Sequence, residues 1–71
     1  MKTQTETHKI LLKKIDKITT KVVFSEMKNI VSSLEIRRLE REFPTAPKGM
    51  VRFHFMESLE SKESFLSEVV R

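Results

Sequence analysis

The sequence predicts a small, helix-rich α+β domain, and three observations point there. Leu34 to Phe43 is a charged helical segment that stops at Phe43-Pro44. A loop with Pro47 and Gly49, the only glycine, follows it. Beyond the loop Val51, Phe53 and Phe55 alternate with Arg52, His54 and Met56, so the hydrophobic period changes from helix-like to strand-like.

The 71 residues make one domain, with residues 1–7 read as flexible ahead of it. A chain this short buries only ~60% of its unfolded surface, so a lone core is marginal. There is no cysteine, which removes disulfides and thiolate zinc sites. Extra stability then comes from well-formed helices or from a second chain, and a homodimer is expected on that ground. The longest apolar runs are the triplets Ile10-Leu11-Leu12 and Val22-Val23-Phe24, far short of a membrane span or a signal-peptide core. The expectation is a cytoplasmic protein without membrane contact.

In the first segment, Leu11, Ile15, Ile18 and Val22 recur at helical spacing, with Lys9, Lys13, Lys17 and Lys21 opposite them and Lys14 near the edge. A helix is expected over 8–19. Thr3 and Glu6 have capping-box spacing, and Thr5 or Thr7 serve equally for a later start. An edge strand over 8–15 is the alternative, disfavoured by three consecutive apolar residues.

Ser25 to Phe43 lacks glycine and proline and reads as helix. Its apolar residues fall on two sides: Val23, Met27, Ile30, Val31 and Leu34 on one, Ile36, Leu39 and Phe43 nearly opposite. Either one helix lies between two apolar surfaces, or it breaks near Ser32-Ser33, where Ser32 and Glu35 have capping-box spacing. The break yields the all-α alternative, a winged helix-turn-helix with 33–43 as second helix and Arg37, Arg38 and Arg41 toward DNA. Against that stands pairing within the helix, Glu35 with Arg38 and Arg38 with Glu42, at ~0.2–0.5 kcal/mol per pair.

Pro44 ends this helix because it disfavours helical geometry at Phe43 and has no N–H to donate. Residues 50–56 then read as a strand whose partner is the 8–15 region, the 20–24 region or the same strand of a second subunit. The Glu-Ser pairs from Glu57 to Ser64 read as turn-like, with Ser61 capping a short final helix that carries Phe65, Leu66, Val69 and Val70.

Charge is uneven. Basic excess lies in residues 1–31, whereas Glu57, Glu60, Glu63 and Glu68 against Lys62 make 57–68 acidic. Lys13, Lys14, Lys17, Lys21, Arg37, Arg38, Arg41 and Arg52 are therefore the candidate nucleic-acid contacts. Glu57, Glu60, Glu63 and Glu68 are the candidates for meeting a basic protein. Catalytic groups are sparse: there is no tyrosine, His8 and His54 lie far apart in sequence, and Asp16 has no acidic neighbour at i+3 or i+4. One glycine does not make a phosphate-cradling loop. No catalytic residue, metal site or cofactor is expected.

Arg37-Arg38-Leu39, Phe43-Pro44, the loop with Gly49 and Val51-Arg52-Phe53-His54-Phe55 resemble the helix-to-strand junction of the DinI family of DNA-damage-inducible proteins. The stretch Lys9 to Lys17 is similar to that family's first strand. The resemblance implies a small α+β regulator that binds the RecA recombinase filament through an acidic C-terminal helix, here Glu57, Glu60, Glu63 and Glu68. The leading expectation is a non-enzymatic regulator that binds a macromolecular partner and modulates repair or recombination proteins. The alternatives are a small DNA-binding transcriptional regulator and an oligomeric assembly subunit whose two-faced helix packs between chains.

Overall fold

The computed structural model describes residues 4–47 and 49–69, and the expectations for Thr3 and Val70 lie outside them. Three helices make up the regular structure of the described residues: Gln4–Val22 (α1), Lys28–Glu42 (α2) and Met50–Val69 (α3). They form an up–down–up bundle. Lys14 pairs with Glu42, and Lys28 lies 3.9 Å from Glu63, so α2 runs antiparallel to both neighbours. His8 faces His54 and Asp16 pairs with Lys62, so α1 and α3 run parallel.

Each helix contributes one stripe to the core. Leu11, Ile15 and Val22 come from α1, with Val23 just beyond it; Ile36 and Leu39 come from α2, with Phe43 at its end; Val51, Phe55 and Leu59 come from α3. Within each helix they are spaced by three, four or seven residues, or their sums, which keeps them on one side. The helix faces expected at Leu11, Ile15, Ile18 and Val22 and at Ile36, Leu39 and Phe43 are present, with Ile18 half-buried.

The strand expected over 50–56 is absent, and with it the α+β class; those residues open α3. On a strand Phe53 and Phe55 would share a face. On a helix they lie about 200° apart, and Phe55 is 0% exposed whereas Phe53 is 63% exposed. The stripe that decides the matter is Val51, Phe55, Leu59, at i, i+4 and i+8. A lone strand also leaves its backbone donors and acceptors without partners, whereas a helix satisfies them within the segment. The all-α alternative is the one that agrees with the structure.

Two further expectations are corrected. The Glu-Ser region is helical rather than turn-like, and Ser61 sits inside α3 rather than at its start. The chain is also continuous through Ser32-Ser33, so there is no helix-turn-helix with 33–43 as a second helix. Ser32 is buried by α2's inward face, and its hydroxyl has no hydrogen-bond partner among the described residues.

The connections are short. After α1, the Val23 N–H donates to the Thr19 carbonyl at 2.9 Å and tucks Val23 into the core. The Ser25 hydroxyl oxygen accepts from the Met27 N–H at 3.2 Å at the entrance to α2. At its far end Phe43 donates to the Leu39 carbonyl at 2.9 Å, and Pro44 follows, as the sequence leads one to expect. Gly49 takes φ +85°, a left-handed value that costs other residues strain. Its carbonyl accepts the Phe53 N–H at 3.0 Å and starts α3.

Candidate interaction surface

The site begins with the two-sided pattern of α2. Its inward side, Ile36 and Leu39, is covered by α1 and α3. On its outward side Met27, just before the helix, Ile30 and Leu34 are 58%, 54% and 55% exposed, at spacings of three and four. Arg37 and Arg41 continue the same stripe toward the C-terminal end. Both arginines are exposed and have no ion-pair or hydrogen-bond partner among the described residues. Three large aliphatic side chains in water on one helix face, bordered by two unpaired cations, make a surface suited to contact with another macromolecule.

Of the expected cations, Arg38 is held by Glu35 at 3.1 Å, as the i, i+3 spacing suggests. The second expected pair, Arg38 with Glu42, gives way to one between helices: Glu42 accepts from Lys14, whose ammonium also lies 5.5 Å from the centre of the Phe43 ring. Lys14 is thus a clasp between α1 and α2. Lys13, Lys17 and Lys21, together with Lys9, are exposed along the outer side of α1. Arg52 is exposed on α3. The eight candidate nucleic-acid contacts are therefore divided among three helices, four on α1, three on α2 and one on α3.

The acidic candidates all lie on α3. Glu63 turns toward α2 and faces Lys28. Glu57 and Glu60 are exposed and share a stripe with Phe53 and Met56, at i, i+3, i+4 and i+7. Glu68 is exposed near the end of the helix.

A shallow groove of about 370 Å³ lies between α1 and α3, lined by Ile15, Asp16, His54, Glu57, Ser58 and Lys62 among others. Lys62 donates to the Asp16 carboxylate at 2.6 Å and to the Ser58 hydroxyl oxygen at 3.0 Å. Thr19 donates to the Ile15 carbonyl at 2.8 Å. The Thr19 hydroxyl has one hydrogen and uses it there, so at the 2.9 Å Ser58 contact Ser58 is the donor. Lys62 thus donates to Ser58 and Ser58 to Thr19, and the chain of hydrogen bonds ties α3 to α1. His8 and His54, distant in sequence, meet edge-to-face at 5.7 Å between ring centres beside this groove. No group of acidic and histidine side chains among the described residues is placed to hold a metal ion. No described helix is long and apolar enough to cross a membrane.

The groove was missed from sequence because Ser58 and Lys62 fell in a segment read as turn; their i, i+4 spacing was its signal. The outward stripe of α2 was visible as one of two apolar sides. No family model matches the chain, and no curated protein or solved structure is found to match it.

Proposed function

We propose that this chain is a non-enzymatic interaction protein that binds a protein surface through the outward face of α2. The observation that carries the reading is the exposed stripe Met27, Ile30 and Leu34, running into unpaired Arg37 and Arg41. Fully burying such a side chain contributes ~1.5–3 kcal/mol. Covering the exposed half of three of them is then worth roughly 2–4 kcal/mol before losses of motional freedom. Arginine beside aliphatic residues favours a partner with acidic side chains around an apolar centre.

The narrower proposal is a cytoplasmic modulator of repair or recombination proteins. It rests on the resemblance of residues 34–56, whose strand portion is helical in the structure, and on the acidic side chains of α3. A recombinase filament is accordingly the first defined partner to titrate.

The experiment places a photo-crosslinking benzoylphenylalanine at Ile30, or at Lys17 on the outer face of α1, and irradiates cells that make the protein. A discrete adduct from position 30 and none from position 17 is the expected result. Equal labelling from both positions, or none from position 30, would overturn the assignment.

A second reading, DNA binding, is favoured by one observation: Lys9, Lys13, Lys17 and Lys21 form an exposed row on α1 without described partners. Fluorescence anisotropy of labelled DNA at low and near-physiological salt decides it. Several phosphate contacts would give affinity that falls by orders of magnitude over that range, and no binding at low salt would leave the row as a solvated face.

A further inference from the structure

We propose that the outward face of α2 is covered by α3 of a second copy of this chain, the two copies being related by a two-fold axis. The inference rests on α2 being an interaction surface and names its occupant. Two stripes lie exposed on the bundle. On α2, Met27, Ile30 and Leu34 precede Arg37 and Arg41; on α3, Phe53 and Met56 precede Glu57 and Glu60. One runs from apolar to basic and the other from apolar to acidic, both in the N-to-C direction. Side by side and parallel, Leu34 meets the partner's Phe53 and the arginines meet glutamates.

The topology supplies that parallel arrangement. Because α2 and α3 are antiparallel within one chain, a two-fold axis perpendicular to the helices sets α2 of one protomer parallel to α3 of its partner. The same operation sets α3 on the partner's α2, so the contact is self-complementary and closes at two copies. Placing Arg37 beside the partner's Glu57 brings Arg41 within one residue of the partner's Glu60. It also brings Leu34 within one residue of the partner's Phe53.

Pairing α2 with α2 is a poorer solution. In parallel it stacks Arg37 on Arg37 and Arg41 on Arg41; antiparallel, it leaves Glu57 and Glu60 unused. Area points the same way. A stable interface takes ~800 Å² from each partner, and the face of the 15-residue α2 with the matching length of α3 offers roughly 400 Å² of footprint before side-chain relief. The face of α2 alone offers about half of that.

The test is sedimentation equilibrium of the whole chain from about 1 μM to about 500 μM, spanning the affinities expected of a modest interface. The wild type should dimerise within this range. Arg37→Glu with Arg41→Glu, and separately Glu57→Arg with Glu60→Arg, set like charges against each other and should each weaken dimerisation at least tenfold, with helical circular dichroism unchanged. Mixed one to one, the two variants are complementary at both contacts and should recover the dimer. A wild type that stays monomeric overturns the pairing, and so does a mixture that fails to recover it. A monomeric wild type that still gives an Ile30 adduct in cells refutes self-pairing alone; loss of that adduct refutes the interaction surface itself.

Discussion

Phe53 and Phe55 are two residues apart, and their truncation separates a helix from a strand. Phe55 is fully enclosed by the core, in the stripe with Val51 and Leu59, whereas Phe53 is mostly in water. Phe55→Ala removes a ring from a packed interior, which costs ~3–5 kcal/mol in lost transfer energy and cavity formation. A 71-residue chain holds about 4–11 kcal/mol of total stability at ordinary per-residue values. The change therefore removes about a quarter of the stability at the least and all of it at the worst. Phe53→Ala, on the solvent side, should cost under ~0.5 kcal/mol. Urea unfolding followed by circular dichroism at the helical band measures both, and the midpoints should differ by more than 1 M at a typical slope for small proteins. Equal losses would place both rings on one buried face, as on a strand, and would refute the three-helix packing.

Other substitutions probe polar and backbone features. Ser32→Ala removes a buried hydroxyl that has no described partner and improves helix propensity. It should raise the melting temperature by several degrees, about 1 kcal/mol in stability; a fall would mean that the hydroxyl is satisfied in the native state. Thr19→Val keeps the shape but breaks the link to Ser58 and should cost ~1–3 kcal/mol, read from urea midpoints. An unchanged midpoint would show the contact to be energetically idle. Gly49→Ala meets no steric neighbour yet forces a Cβ into left-handed geometry, so a loss of ~1 kcal/mol is expected in thermal unfolding. Stabilisation instead would place that residue at negative φ.

The first two helices were readable because their inward residues repeat cleanly. Leu11, Ile15 and Val22 with Ile36 and Leu39 sit where helical spacing puts them. Pro44 likewise marks the end of α2. The third helix was not, since Val51, Phe53 and Phe55 satisfy a two-residue period by coincidence. The helical set Val51, Phe55 and Leu59 extends into a segment whose serines suggested turns. Tertiary packing on α1 outweighed that local preference. The two-sidedness of α2 was legible, but which side would be covered depended on where α3 lay. Misreading α3 as a strand hid the answer. It also hid the stripe that joins Phe53 and Met56 to Glu57 and Glu60, because those residues share a face only on a helix.

The central claim is that α2 buries one side for stability and keeps the other for a partner. Leu39, buried, and Leu34, 55% exposed, stand on those two sides. The most direct measurement compares Leu34→Asp with Leu39→Asp, following thermal unfolding in dilute solution and the yield of the Ile30 photo-adduct. Leu34→Asp should melt within a few degrees of the parent while the adduct disappears, and Leu39→Asp should unfold the chain. If Leu34→Asp unfolds it equally, or leaves the adduct intact, the division of α2 into a structural side and a binding side is wrong.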